Sequence, residues 1–107
     1  MAESLPGLEN LDPLFQHKLR LGACVLLSTA KEISFANLKR NLESTDGNLG
    51  AQMRKLEEGG YVLSRKQFVE RKPITTYSLT DKGYTAMERH LEALKELMSV
   101  THKSVRK

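Results

Sequence analysis

The stretch ESTDGNLGAQMRKLEEGGYV, residues 43–62, has the pattern of a capped helix that ends at a pair of glycines. Ser44 or Thr45 can cap the N-terminus with its hydroxyl, and Gly59 with Gly60 marks the C-terminus. Apolar residues three and four positions apart form the stripe predicted to be buried, which consists of Leu49, Met53 and Leu56. We therefore expect a helix of about residues 45–58.

Two helices are predicted before this stretch. Asp12 followed by Pro13 supplies a cap and a first-turn proline for a helix over about residues 12–30. Its apolar face consists of Leu19, Ala23, Leu26 and Leu27. After a short extended piece around Glu32 and Ile33, Ser34 can cap a second, short helix. The apolar residues of that helix are Phe35, Leu38 and Leu42.

A hairpin and a long helix are predicted after it. Residues 61–69 and 74–79 favour two strands, with the basic segment Arg71-Lys72-Pro73 between them. Thr80 can cap a last helix over about residues 81–101. Its apolar residues have the a/d spacing of a coiled-coil seam and are Tyr84, Met87, Leu91, Leu94 and Met98.

This order of elements predicts an α+β fold that is mostly helical, a winged helix-turn-helix. It would contain a three-helix core, a two-stranded β-wing and a long C-terminal helix. We expect residues 1–10 to be a flexible segment, residues 11–102 to form a single domain, and residues 103–107 to be a basic tail.

Composition is compatible with a small protein that binds an anionic partner. The 107 residues are 39% hydrophobic, and 17 Lys plus Arg against 13 Asp plus Glu give a net charge of +4. The lone cysteine, Cys24, excludes an internal disulfide framework, and its apolar neighbours predict a buried, inert thiol. No apolar run approaches the roughly 18 residues of a membrane span, and the N-terminus lacks the form of a signal peptide. We expect a soluble, cytoplasmic protein with no membrane partner.

The sequence resembles the winged-helix DNA-binding domains of MarR-like transcriptional regulators, especially their small stand-alone branch. The resemblance lies in three segments: LDPLFQHKLRLG (11–22), STDGNLGAQMRKLEEGGYV (44–62) and RKPITTYSLTDKG (71–83). It extends from about Leu11 to Leu94. The resemblance implies that the third helix enters the major groove of DNA, that the wing touches the backbone or minor groove, and that the outer helices form a homodimer.

Gly47 and Gly50 each weaken a helix by about 1 kcal/mol relative to alanine. Packing of the helix, or a contact with something outside it, must offset this loss of stability. A surface without bulk would let the helix backbone approach phosphates closely. Asn48 and Gln52 are the candidates for base reading, because a carboxamide can bond to adenine N6 and N7. The outward face is expected to contain Asp46, Gly47, Asn48, Gly50, Ala51, Gln52, Arg54 and Lys55, and the predicted DNA contacts of this helix are Thr45, Gly47, Asn48, Gly50, Gln52, Arg54 and Lys55.

Some of these assignments have alternatives. Arg54 and Lys55 suit phosphates, and guanine is also open to Arg54. Asp46 would repel phosphate, so we interpret it as a cap or a cytosine contact. The alternative for the two glycines is a loose helix cap, and for the two carboxamides a solvated surface.

Basic residues concentrate on the predicted wing, where the DNA contacts are Arg65, Lys66, Arg71 and Lys72. An arginine at the tip can enter a narrow minor groove, whose negative potential attracts it. The alternative is a solvated strand edge that lysines protect from aggregation.

The last helix is predicted to need a partner, because about 30 Å of helix is longer than so small a domain can cover. Tyr84 and Met87 are expected to complete the domain's own core. The predicted homodimer interface consists of Leu14, Phe15, Leu91, Leu94, Leu97 and Met98. An intramolecular pairing of the first and last helices is the alternative.

Enzymatic chemistry is not expected. His17, His90 and His102 have no metal-ligand spacing, and neither a nucleophile elbow nor a phosphate-binding loop is present in the sequence. The prediction is no cofactor, no metal and no catalytic residue, with double-stranded DNA as the partner and an unknown small effector as a further one. A protein-interaction winged helix and a nonspecific architectural DNA-binding protein are the alternative functions.

Overall fold

The computed structural model describes residues 5–105, with side chains as far as residue 101. Within that range the chain forms two short 3-10 turns, four α-helices and one three-stranded antiparallel sheet. The elements are the turns Leu8–Asn10 and Pro13–Gln16, then α1 (Lys18–Leu27), β1 (Ile33–Ser34), α2 (Phe35–Leu42), α3 (Asp46–Glu58), β2 (Val62–Val69), β3 (Lys72–Leu79) and α4 (Asp81–Val105). The predicted winged helix-turn-helix is confirmed.

The first helix is shorter than predicted. One continuous helix over residues 12–30 is wrong, because Pro13–Gln16 form a 3-10 turn and the α-helix covers only Lys18–Leu27. His17 between them is extended, with φ −99° and ψ 128°, and its Nδ1 accepts a hydrogen bond from the Leu19 N–H at 3.1 Å. Because the side chain of His17 caps α1, the α-helix begins only after this residue, and the continuous helix predicted from the apolar spacing is interrupted here.

The helix-turn-helix itself matches the prediction. Ser34 caps α2, its hydroxyl accepting from the Asn37 N–H at 3.1 Å. Thr45, one of the two predicted caps, starts α3 by accepting from the Asn48 N–H at 3.2 Å. Glu43 between the helices has a φ of 51°, which turns the chain sharply. Because the connection is so short, α3 is held in a defined direction relative to α2.

The sheet has one strand more than predicted. Its order is β1-β3-β2, and the two residues of β1 pair with Thr76 and Tyr77 of β3. The extended piece predicted around Glu32 and Ile33 is therefore a short edge strand. It attaches the base of the hairpin to the start of α2, so the wing and the helix-turn-helix belong to one framework.

The wing is a hairpin with a two-residue turn. The pairs run from Val62 opposite Leu79 to Val69 opposite Lys72. The predicted loop of residues 71–73 is wrong, because the turn residues are Glu70 and Arg71, with φ of 52° and 68°. Two successive positive φ angles define the turn type that matches the twist of a hairpin, although glycine and asparagine are the usual residues there.

The start of α4 packs closely on Gly60 and Tyr61, in the connection between α3 and β2. Thr80 Oγ1 accepts from the Gly83 N–H at 2.9 Å and donates to the Gly60 carbonyl at 2.7 Å. A Cβ on Gly83 would lie 2.2 Å from the Tyr61 carbonyl oxygen, so this position requires glycine. The helix then continues for 25 residues to Val105, beyond the predicted end near residue 101. Part of the predicted basic tail is thus helical, and residues 106 and 107 lie outside the described residues.

The hydrophobic core lies between α1, α3, the base of the sheet and α4. Its fully buried side chains come from all three helices of the core and from the sheet: Ala23, Cys24 and Leu27 of α1, Leu38 of α2, the predicted stripe Leu49, Met53 and Leu56 of α3, and Val62 of β2. Leu26, which was predicted on the apolar face of α1, is only partly buried. Burial raises the pKa of the Cys24 thiol to about 12, which makes it the inert thiol that the sequence predicts.

A polar network ties the segment before α1 to this core. The carboxylate of Asp12 accepts from the Tyr61 hydroxyl at 2.5 Å, and the backbone N–H of Asp12 donates to His90 Nδ1 at 2.9 Å. The ring of Phe15 lies 5.4 Å from that of Tyr61 and 5.3 Å from that of His90. Burial lowers the pKa of His90, which favours the neutral ring that can accept this bond.

The turn Leu8–Asn10 also packs against α4. A Cβ on Gly7, which is buried, would lie 2.4 Å from the Ala93 carbonyl oxygen. The predicted flexible segment of residues 1–10 is thus in contact with α4 from residue 7 onward, and its first four residues lie outside the described ones.

Candidate nucleic-acid interface

The N-terminus of α3 is exposed, and the acidic side chain in its first turn is paired with a lysine of α2. Thr45 is the cap, so the interpretation of Asp46 as the cap is wrong. Asp46 is instead the first helical residue, and its carboxylate accepts from Lys39 Nζ of α2 at 2.8 Å. Because this ion pair is exposed, it contributes little to stability. Its effect is to place a lysine beside the one acidic group at this helix end.

The inner face of α3 contains a polar residue that was expected outside. Gln52 is only 9% exposed, so its predicted outward position is wrong. Its Oε1 accepts from Arg20 Nη1 of α1 at 2.5 Å, and Arg20 Nε donates to the Leu14 carbonyl at 2.6 Å. The side chain of Gln52 therefore connects α3 to α1 and to the turn before it.

Arg20 was not singled out from the sequence, although it holds Gln52 in place. It is the single charged residue within LRLGACVLL, residues 19–27. A lone arginine in an apolar helix is a signal for a specific partner, since a buried guanidinium must be hydrogen-bonded. The DNA contacts predicted from the sequence lie only on the third helix and the wing.

The outer face of α3 is exposed and lacks side-chain bulk. A Cβ built on Gly47 or on Gly50 would meet nothing within 4 Å. Asn48, Arg54 and Lys55 are exposed on the same helix. The helix thus presents a smooth, polar N-terminal half and two cations in its C-terminal half, on the side opposite the core.

A groove of about 530 Å³ separates the outer part of α3 from the sheet. It is lined by Phe35, Gly50, Arg54, Glu57, Ser64, Lys66, Thr75 and Tyr77. Glu57 accepts a hydrogen bond from the Ser64 hydroxyl at 2.6 Å, which joins α3 to β2. Burial and the Glu57 carboxylate raise the pKa of Tyr77, while Arg54 acts in the opposite direction. The two cations of this groove can bind phosphate oxygens.

The four basic residues of the wing are not equivalent. Lys66, Arg71 and Lys72 are exposed. Arg65 is also exposed, but its Nη2 donates to both carboxylate oxygens of Glu32, at 2.9 and 3.0 Å. This bond lowers the pKa of Glu32. Arg65 thus already has an anionic partner within the chain.

The residues predicted for a dimer interface divide into three groups by their exposure. Phe15 is 3% exposed and belongs to the domain's own core, so its assignment to an interface is wrong. Leu14 and Leu97 are partly buried. Leu91, Leu94 and Met98 are exposed by 40%, 36% and 67%, and the described structure contains nothing that covers them.

The first turns of α4 also differ from the expectation. Met87 is buried as predicted, but Tyr84 is 46% exposed, so its assignment to the core is wrong. The buried stripe of α4 instead runs through Met87, His90 and Ala93. Tyr84 lies seven residues before Leu91 and therefore on the same, outer stripe.

Within residues 5–101, for which side chains are described, no group of three His, Cys, Asp or Glu side chains is arranged to hold a metal ion. None of the described helices is both long enough and apolar enough to cross a membrane.

Together, a capped helix-turn-helix, an exposed third helix and a basic two-stranded ribbon define a winged-helix DNA-binding domain. A sequence model of the family described as "Winged helix DNA-binding domain" matches residues 19–98, and the chain belongs to this family. An uncharacterised protein of Methanocaldococcus jannaschii is 31% identical over 84 residues, which cover 78% of this chain and 91% of that protein.

Solved structures agree with this assignment. A transcriptional regulator homologue from Pyrococcus horikoshii OT3 superposes with a TM-score of 0.73 at 28% identity, covering 88% of this chain and 98% of that one. The zinc-responsive MarR family member ZitR from Lactococcus lactis shares the fold, with a TM-score of 0.61 at 15% identity over 80% of this chain and 58% of its own. The resemblance to MarR-like regulators is thus confirmed at the level of the fold.

Proposed function

We propose that this chain is a sequence-specific transcriptional regulator that binds operator DNA as a homodimer and alters polymerase access, without catalysis, in the cytoplasm. The observation that supports this most is the open outer face of α3. Gly47 and Gly50 weaken the helix, yet neither makes room for any atom of the chain itself. A residue choice that the fold does not need is explained by a ligand that approaches the helix closely.

In this proposal α3 lies in the major groove with its N-terminal half toward the bases. Asn48 is the principal base reader, because its carboxamide is exposed while that of Gln52 is bonded to Arg20. Gly47 and Gly50 allow close approach, and Thr45 is a further contact at the helix start. Arg54 and Lys55 bind phosphates or, for Arg54, a guanine.

The wing follows the backbone or the minor groove with its exposed cations. Lys66 lines the groove beside α3, and Arg71 occupies the turn. Lys72 adds positive charge next to the turn. Arg65 contributes less, because a contact with DNA would require it to leave Glu32. With about six phosphates neutralised per site, the logarithmic dependence of affinity on salt should have a slope near −5.

The homodimer uses the outer stripe of α4. Tyr84, Leu91 and Met98 are exposed and lie seven residues apart, with Leu94 between them. A helix of 25 residues extends beyond the core that it helps to cover. Pairing of this stripe, with Leu97 and Leu14 at its edge, would place two α3 helices about one turn of DNA apart.

A small effector would bind in the cavity between the N-terminal segment and α4. This cavity has a volume of about 620 Å³, within the usual range for ligand sites. Its lining includes Asp12, Tyr61, Lys82 and Arg89. An occupant would touch both the segment that leads into α1 and Tyr61, which follows α3 by three residues, and so could influence the position of the DNA-binding helix.

Fluorescence anisotropy with a pool-selected duplex and a scrambled duplex, at two salt concentrations, tests the proposal. We expect a preference of at least about a thousandfold for the selected duplex. Asn48→Ala should relax the preference at one base pair, and Arg71→Ala should weaken binding to both duplexes and reduce the salt slope by about 1. Arg65→Ala is the matched control and should change the slope less.

Equal, weak binding of the wild type to both duplexes would contradict sequence-specific regulation and favour an architectural or protein-binding module. Sedimentation velocity tests the dimer separately. Leu94→Glu should give a folded monomer with weaker binding to a two-half-site duplex, and an unchanged sedimentation coefficient would rule out this interface.

A further inference from the structure

The two faces of the wing have different surroundings. Side chains alternate along a strand, so Ser64, Lys66 and Phe68 of β2 point to the same side. Ser64 bonds to Glu57 of α3, and Lys66 lines the groove beside that helix. Phe68 therefore continues the row of side chains that faces the α3 side of the domain, farther out along the wing.

Phe68 is the most exposed large hydrophobic side chain among the described residues, at 76%. It lies directly opposite Pro73 in the ladder, one pair before the turn pair of Val69 and Lys72. In a two-residue hairpin this second pair is not hydrogen-bonded, so the missing N–H of Pro73 weakens no ladder bond and the two side chains lie close together. The tip of the wing thus ends in an apolar pair, an aromatic ring beside a proline.

The charges around this pair indicate its partner. Lys66 lies two residues before Phe68 on the same face, Arg71 is in the turn and Lys72 follows it. Glu70 is the single acidic residue of the turn. An apolar tip surrounded by cations suits a partner with phosphates at its edge and apolar sugar and base surfaces within, which describes the minor groove of DNA.

We propose that Phe68 and Pro73 form a wedge that enters the minor groove beside the α3 site and partly unstacks one base step. This inference rests on the proposed DNA binding and adds to it a residue outside the basic set. Apolar side chains inserted in this way kink the duplex toward the major groove, which would bend the DNA around the domain. The surrounding cations hold the phosphates on either side of the opened step.

The test uses the full chain and the selected duplex, with 2-aminopurine placed in turn at each step beside the α3 site. For the wild type, fluorescence should rise at one step because that base loses its stacking. Phe68→Ala should abolish the rise and weaken binding on the order of tenfold. Its salt slope should equal that of the wild type, since no charge is removed, whereas Arg71→Ala should reduce the slope.

Two variants control for indirect effects. Leu63→Ala removes an apolar side chain that is 63% exposed on the same strand but on the other face, and should leave both signals unchanged. Phe68→Leu keeps an apolar wedge and should recover part of the fluorescence rise. The fluorescence of Phe68→Leu also decides the test if Phe68→Ala is poorly folded.

Wild-type affinity and fluorescence in a folded Phe68→Ala variant would overturn the wedge while leaving DNA recognition intact. A change of sedimentation coefficient on Phe68→Ala without DNA would also overturn it, because the tip would then contact a second copy of the chain. Failure of the underlying function is distinguished by the wild type alone, which would then not prefer the selected duplex.

Discussion

Helices α3 and α4 start with nearly the same residues but use their glycines in opposite ways. Thr45-Asp46-Gly47 opens one and Thr80-Asp81-Lys82-Gly83 the other, and both threonines cap the helix. Gly83 lies against the Tyr61 carbonyl, whereas a Cβ on Gly47 or Gly50 would touch nothing. The same local pattern thus serves packing in α4, while in α3 it leaves an open surface.

The largest effect is expected where glycine is required by packing. Gly83→Ala would bring a Cβ to 2.2 Å from the Tyr61 oxygen, which Thr80 also holds by its N–H at 3.0 Å. Because this backbone cannot move freely, we expect a loss of about 3 kcal/mol in the free energy of unfolding. Urea denaturation measures the loss, with Thr85→Ala in the next turn as the control. An unchanged midpoint would show that the close approach relaxes at little cost.

The inner face of α3 should give the next largest effect. Gln52→Leu leaves Arg20 Nη1 without its bond, so we expect about 1–2 kcal/mol of destabilisation. The preference for individual bases should remain in the folded variant. Urea denaturation and binding to duplexes with single base changes test both points. Undiminished stability with a relaxed preference at one base pair would restore Gln52 as a base reader.

Residue spacing predicted more of this structure than residue type did. Leu49, Gln52, Met53 and Leu56 are three and four residues apart and lie on one stripe, so spacing alone places Gln52 inside. The polar side chain of Gln52 suggested an exposed position instead. Its hydrogen-bond partner, Arg20, lies 32 residues away in the sequence and is recognised only in the three-dimensional structure. Helices α2, α3 and α4, with their caps Ser34, Thr45 and Thr80, and the two strands of the wing depend on neighbouring residues and were predicted for that reason.

The wrong assignments of Phe15 and Tyr84 have the same origin. Phe15 is four residues before Leu19 and continues the buried stripe of α1, although the break at His17 separates them. Tyr84 fits the seam of α4, but its side of the seam has nothing packed on it in the described chain. Which of two apolar stripes becomes the core depends on the tertiary arrangement, which the sequence pattern does not specify.

On the outer face of α3, substitution of glycine should stabilise the fold and weaken DNA binding. Gly50→Ala has open space for its methyl group, and we expect about 1 kcal/mol of additional stability. Gly47→Ala, closer to the helix end, should give less. Affinity for the selected duplex should nevertheless fall on the order of tenfold, as for the loss of one base contact.

Thermal unfolding measures the expected gain of stability in Gly50→Ala, and anisotropy measures the expected loss of DNA affinity. Ser99→Ala, at an exposed position of α4, is the control that raises helix propensity away from α3 and should leave affinity unchanged. A Gly50→Ala protein that is more stable and binds DNA as the wild type does would reduce the two glycines to a loose helix cap.

The smallest effect extends the comparison to the turn of the wing, where the chain lacks glycine although the backbone would favour it. Arg71 has a φ of 68°, a conformation that costs a non-glycine residue roughly 1 kcal/mol. Arg71→Gly should therefore stabilise the hairpin by about 0.5–1 kcal/mol and reduce the salt slope of DNA binding by about 1. Glu70→Gly, the matched neighbour with φ 52°, should stabilise equally and leave the slope unchanged or steeper. If both variants bind DNA alike, the strained backbone at Arg71 has no connection with DNA binding. Only the glycines of α3 would then remain as residues that lower stability in favour of DNA binding.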